Sequence, residues 1–138
     1  MQPQNNSAPI SKKILWSGYI LSALAGLLLL MDGVMKLIKP EFVVKATVEL
    51  GYPESVIFGI GLVLTACTVI YLIPRTAILG AILLTGYLGG ATASHVRAGD
   101  PIFTAFFPVI FGALVWLGLY LRDARLRALV PLRSSPTP

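Results

Sequence analysis

The sequence predicts an all-α integral membrane protein: a four-helix transmembrane bundle with a short amphipathic helix between the first two spans. Three observations lead there. Hydrophobic residues make up 56% of the chain and charged residues only 12%, with a mean hydropathy of +0.81. A soluble domain carries roughly twice that charged fraction. Four apolar stretches each reach the ~18 residues that a spanning helix needs. Finally, lipid offers no partner for backbone N–H and C=O groups, which leaves only helices and closed barrels as spanning structures. Apolar runs of this length without strand alternation are helical.

The elements follow in order. Residues 1–11 are polar and proline-bearing, and read as a disordered tail. A membrane domain over 12–131 and a second disordered tail over 132–138 complete the division. Lys12 and Lys13 precede an uncharged run from Ile14 to Met31, and Val34 to Ile38 extend it. Ala23-Leu24-Ala25 resembles a signal-peptide cleavage site, but the apolar run continues well past it, so the segment is read as a retained span. The second span covers Ser55 to Leu72, the third Thr76 to about Val96, and the fourth Ile102 to Leu121.

Between the first two spans, residues 39–53 are too many for a bare turn. Pro40 suits a helix start, and Gly51 with Pro53 a stop. Glu41, Lys45 and Glu49 form one stripe, with Phe42, Val43, Ala46 and Leu50 opposite, which predicts a surface-lying amphipathic helix of about ten residues. LRDARLRALVPL (121–132) predicts a basic helix that continues the fourth span or lies at the interface.

Basic residues set the expected orientation. Lys12, Lys13, Arg75, Arg122, Arg125, Arg127 and Arg133 fall on one side, and Lys36, Lys39, Lys45 and Arg97 on the other. The positive-inside rule then places both termini in the cytoplasm of a multi-pass inner (cytoplasmic) membrane protein. The net charge of +5 sits mainly at the ends. It leaves no basic face for nucleic acid, and anionic headgroups of the bilayer are its natural partners.

Small residues recur every fourth position in span 1 (Gly18, Ser22, Gly26) and span 3 (Gly86, Gly90, Ser94), which predicts close helix crossings at both stripes. A faint repeat links Lys36-x3-Pro40-x-Phe42 at the end of span 1 to Arg97-x3-Pro101-x-Phe103 at the end of span 3.

Most catalytic chemistry is absent from the sequence. Cys67 is the only cysteine, so an intrachain disulfide and CxxC chemistry are excluded, and its apolar neighbours suit an inert hydrophobe. His95 is the only histidine, so bis-histidine haem ligation within the chain is excluded. No His/Asp/Glu cluster has metal-ligand spacing, and no nucleophile–base pair or phosphate loop is visible.

The unusual polar residues gather at one end. Spans 1 and 3 run parallel, so Asp32, Lys36, His95 and Arg97 lie on the same face, with Tyr52, Glu54 and Asp100 beside them. Asp32 and Lys36 are spaced to pair. Tyr87, Ala91 and His95 share a helix face, and a slot with His95 above and Tyr87 below suits a flat, carbonyl-bearing apolar molecule. Each residue also has a plainer role: Lys36 snorkelling beside Asp32, Arg97 anchoring at the interface, His95 making a structural hydrogen bond. Asp32, Lys36, Tyr87, His95 and Arg97 are the candidate ligand-binding residues.

Asp32-Gly33-Val34-Met35-Lys36, the block YLIPRTAILGAILLTGYLGGATASHVRAGDP (71–101) and the stretch WLGLYLRDARLRALVP (116–131) resemble the DoxX-like family of small four-helix bacterial membrane proteins. The resemblance covers most of residues 14–131. It implies the four-helix fold, and a setting among membrane oxidoreductase assemblies, since the family name is tied to a quinone-linked thiosulfate-oxidising complex. It transfers no catalytic residue, which suits a non-catalytic or accessory subunit. The preferred expectation is an accessory subunit that binds a quinone or similar lipophilic molecule near its outer face. The rivals are a non-redox binding or permeation protein for a lipid-like solute, and a purely structural membrane partner. Protein partners would be oxidoreductase subunits or a second copy of the chain.

Overall fold

The computed structural model describes residues 11–132. Six α-helices run in order: α1 (Lys12–Ile38), α2 (Glu41–Glu49), α3 (Ile57–Leu72), α4 (Ala77–Ala98), α5 (Ile102–Arg122) and α6 (Ala124–Leu129). One-turn 3₁₀ segments lead into α3 (Glu54–Val56) and α4 (Pro74–Thr76). Helices α1 and α5, and α3 and α4 together with their leading 3₁₀ turns, are long and apolar enough to cross a membrane, as the sequence predicts. Of the tails expected over 1–11 and 132–138, only Ser11 and Leu132 fall within the described residues.

The four spans alternate in direction and close into a square. Helix α1 packs on α3 and α5, and α4 packs on α3 and α5, so α1 and α4 stand diagonally opposite. The core along the axis comprises Ala25, Leu29, Leu64, Tyr71, Ala81, Leu84, Val115 and Leu119. Most remaining apolar side chains point outward, among them Trp16, Ile20, Leu27, Phe58 and Ile82. A soluble protein does not present apolar surface of that extent; in a bilayer those side chains meet lipid.

Local chemistry sets the helix ends. The Ser11 hydroxyl accepts from the Ile14 N–H and caps α1. At the other end Lys39 adopts a left-handed conformation (φ 56°) and Pro40 follows. Helix α4 ends on left-handed Gly99 (φ 77°), and Pro101 follows. Both ends of the faint repeat thus stop a helix on a left-handed residue, but Lys39 immediately precedes its proline and Gly99 stands two residues before Pro101, so the two stops differ by one position.

One alternative is resolved and two expectations change. Of the two readings of the C-terminal basic stretch, a continuation of the fourth span is excluded, because the Asp123 carboxylate accepts from the N–H groups of Arg125 and Leu126 and starts α6 as a separate helix. Helix α2 is rolled relative to the expected stripe. Thr47 is buried and Val43, Val44 and Leu50 are partly so, while Phe42 and Ala46 are exposed. Finally, only one of the two small-residue stripes packs. A Cβ on Gly18 would meet the Gly118 carbonyl oxygen at 2.9 Å, and one on Gly26 would overlap Leu72. Gly86 and Gly90 have nothing within 4 Å, and Ser94 is buried against Tyr52 instead. The tight crossings of α4 lie at Gly80, where a Cβ would run into the backbone of Tyr71. The four-residue spacing detects a helix face, and two different faces of α4 carry glycines.

Candidate functional site

At the α2 end of the bundle the polar side chains form three connected groups. The first is on α1. Lys36 Nζ lies 2.5 Å from Asp32 Oδ1, with the lysine side chain 16% exposed and the aspartate 50%. The lysine stem runs over Gly61 of α3, where a Cβ would stand 2.7 Å from Lys36 Cβ. One turn further along α3, Thr65 faces Gly33, its hydroxyl buried and without a partner among the described residues. Lys36 therefore does not snorkel outward as a long cation at a helix end usually does; it lies back into the α1–α3 crossing. Lys39 pairs with Glu54 at 3.5 Å on the rim.

The second group ties down the connection between α2 and α3. Ser94 donates its hydroxyl hydrogen to the Gly90 carbonyl (2.9 Å), which leaves Tyr52 to donate to Ser94 Oγ at 2.6 Å. Arg97 Nη2 donates to the Leu50 carbonyl at 2.8 Å, and the guanidinium lies 5.9 Å from the centre of the Tyr52 ring. Gly51 (φ 92°) lies beneath Arg97, where a side chain would crowd the guanidinium. Among the five candidates, Arg97 is thus committed to holding a loop.

The third group is His95 with Asp100. Past Gly99 the chain turns back, with the Asp100 N–H on the His95 carbonyl (3.1 Å) and the Gly99 N–H on that of Val96 (3.1 Å). This helix stop delivers the Asp100 carboxylate to His95 Nδ1 at 2.6 Å. With Nδ1 engaged, Nε2 is the free nitrogen of a ring whose side chain is 22% exposed. The partnership is readable in retrospect, since His-x3-Gly-Asp at a helix end places the acid over the imidazole. The Tyr52–Ser94 bond has no such local signal, because it joins residues 42 apart.

Tyr87 is partly buried on α4 and packs against the bundle core. Cys67 is buried and free, consistent with an inert role.

Two grooves open on the α5 side of the molecule, and none of Asp32, Lys36, Tyr87, His95 and Arg97 lines either. One, of about 350 Å³, lies between α4 and α5 and is lined by Thr85, Leu88, Gly89, Thr92, Pro108, Gly112 and Trp116 among others. Trp116 closes its lower end by donating to Thr85 Oγ1 at 2.7 Å. Thr85 to Thr92 spans seven residues, about 10 Å of helix. His95 follows Thr92 by three residues and so stands one turn beyond its upper end on the same side of α4. The other groove, of about 410 Å³, lies between α5 and α6. Neither His95 nor Tyr87 lines these two grooves; on α4, His95 is three residues beyond Thr92, which lines the one between α4 and α5. Glycines at positions 89 and 112 leave that groove open, a feature that hydrophobic periodicity does not report.

Among the described residues no three His, Cys, Asp or Glu side chains gather as a metal would need. No curated protein and no solved structure matches the chain. The family comparison is positive and extends over most of the four spans, from within α1 to near the end of α5: the DoxX-like family model matches residues 20–118, and the chain belongs to that family.

Proposed function

We propose that this membrane protein is an accessory subunit that holds a quinone, or a similar lipophilic molecule bearing carbonyls, within a membrane redox system. The observation that carries the reading is His95, its Nδ1 on Asp100 and its position on α4 three residues beyond Thr92, which lines an apolar groove between α4 and α5. Such a groove admits a ring and tail directly from the bilayer, and its volume falls in the range of small-molecule sites. The head then meets Nε2 of His95. A protonated imidazole donates there to a quinone carbonyl, and a neutral one with its proton on Nδ1 accepts from a quinol hydroxyl. One residue can therefore serve both redox states of the ligand. The Lys36–Asp32 pair, its lysine mostly covered and its aspartate half exposed, adds charge at the same end of the bundle. Family membership supports the redox setting.

The test is extraction and mass spectrometry of protein purified in mild detergent. A quinone-class species near one per chain is expected in the parent and lost in His95→Ala. Retention undiminished by His95→Ala, or phospholipid alone, refutes the reading. A structural-partner role has one observation in its favour: the α4 face carrying Gly86 and Gly90 has nothing within 4 Å. Under that reading no lipophile is retained, and another membrane protein co-purifies until that face is filled by Gly90→Leu.

A further inference from the structure

The basic end of the bundle has an unbalanced charge. Lys12, Lys13, Arg75, Arg122, Arg125 and Arg127 lie at that end, with Asp123 as the one carboxylate among the described residues there. Asp123 is occupied, since it caps α6 and pairs with Arg125 at 3.4 Å. Arg127 has no carboxylate partner among the described residues. Its Nη2 reaches only the Leu121 carbonyl, at 3.5 Å, and its Nε is buried without a partner.

This arginine does not line the groove between α5 and α6, but it is next in sequence to Leu126, which does, and its head reaches the Leu121 carbonyl at the end of α5. Ala113, Trp116, Leu117 and Tyr120 line the α5 side, and Leu126 and Val130 the other. Arg127 sits next to Leu126, one turn before Val130, and its head bonds to the residue after Tyr120. The groove is almost wholly apolar and runs along α5 from Ala113 to Tyr120, about 10 Å. Leu129, Val130 and Leu132 beside it are exposed, as on a short helix lying in the headgroup boundary.

We propose that this groove seats one acyl chain of an anionic phospholipid, with the lipid phosphate on Arg127. An apolar slot explains the tail, and an arginine lacking a counter-ion explains the head, since guanidinium and phosphate pair through parallel N–H···O bonds. A zwitterionic lipid offers the same tail but brings its own cation to the arginine. The site is separate from the groove between α4 and α5, so it stands whether or not a quinone binds there.

The experiment measures lipid retained by the full-length protein in native mass spectrometry, with phosphatidylglycerol and phosphatidylcholine supplied at equal concentration. Parent protein should retain phosphatidylglycerol preferentially. Arg127→Gln should lower that preference about fivefold, the effect of one basic residue at an anionic surface, and Arg127→Lys should restore part of it. Leu117→Trp, which fills the groove from its lipid-exposed side, should release both lipids. Arg125→Gln is the control, because that arginine already has a carboxylate. Equal retention of the two lipids by the parent overturns the proposal. So does a loss in Arg125→Gln as large as in Arg127→Gln, which would mark diffuse surface charge.

Discussion

Replacing Gly80 by alanine adds one methyl group at the tightest crossing in the bundle. Its Cβ would stand 2.7 Å from Tyr71 Cβ and closer still to the backbone N and Cα of that residue. Ordinary contact begins near 3.4 Å, so α3 and α4 must part by at least about 0.7 Å. Backbone cannot rotate away as a side-chain tip does, and overpacking of this kind costs about 1–3 kcal/mol. Tyr71 is fully buried, and its hydroxyl donates to the Val115 carbonyl at 3.0 Å, across the bundle on α5. Displacing Tyr71 puts that bond at risk, for about 1 kcal/mol more. Against this, alanine improves helix propensity by about 1 kcal/mol. The net expectation is a loss of roughly 2 kcal/mol. Gly90→Ala on the same helix meets no atom within 4 Å and keeps only the propensity gain. Reversible unfolding in mixed micelles, followed by circular dichroism, should therefore give opposite signs for the two substitutions. Equal stability of Gly80→Ala and Gly90→Ala would refute the packing described for α3 and α4.

Three further outcomes are expected. For the pair at the α2 end, Asp32→Asn alone should destabilise more than Asp32→Asn with Lys36→Met, because the double variant leaves no orphan cation in the α1–α3 crossing; a double-mutant cycle in the same unfolding assay measures this. At α6, burial disfavours the Asp123 carboxylate, but the bonds from Arg125 and the backbone N–H groups of Arg125 and Leu126 outweigh it and hold the carboxyl below its usual range. A depressed value contributes stability that is present above the unfolded-state pKa of about 3.9 and is lost as pH falls through the lower folded-state value. Proteolysis between 123 and 132 should thus quicken on strong acidification, and Asp123→Ala, removing a cap worth about 1 kcal/mol, should quicken it at neutral pH. For topology, cysteines at exposed Lys45 and Ala98 should label from one side of the membrane, and cysteines at Arg75 and Arg125 from the other. Labelling of Ala98→Cys and Arg125→Cys from the same side would contradict the four-span path.

The spans were legible because membrane helices obey a crude constraint, length times apolarity, that a single sequence displays directly. The bounds of α2 were legible too: Pro40 falls just before it begins, and Gly51 and Pro53 follow its end. Packing partners were harder. The stripe Gly18-Ser22-Gly26 and the stripe Gly86-Gly90-Ser94 look alike in sequence, yet only the first faces a neighbouring helix throughout. Lipid and protein are both apolar, so hydropathy cannot say which face of a span turns inward. The roll of α2 escaped for a related reason: buried Thr47 donates its hydroxyl to the Val43 carbonyl and so hides its polarity, while Phe42 is exposed. At the site, the Asp32–Lys36 pair followed from spacing alone. The grip of Arg97 on Leu50 and the bond of Tyr52 to Ser94 depend on how the α2–α3 connection folds back, which no local pattern encodes.

The square arrangement also bears on how the protein is assembled. Helix α1 touches α5, the last of these four spans to be made, at Gly18 and Gly118. During synthesis the first helix enters the bilayer with that glycine face uncovered, and the face stays so until some hundred residues later. Helices α3 and α4 can meanwhile pair as a hairpin. Ring closure is therefore the final event, and it depends on a contact between the two spans made furthest apart in time. A defect at Gly118 would leave three correctly inserted helices without a closing wall, a species that membrane quality control would meet as an open bundle rather than as an uninserted chain.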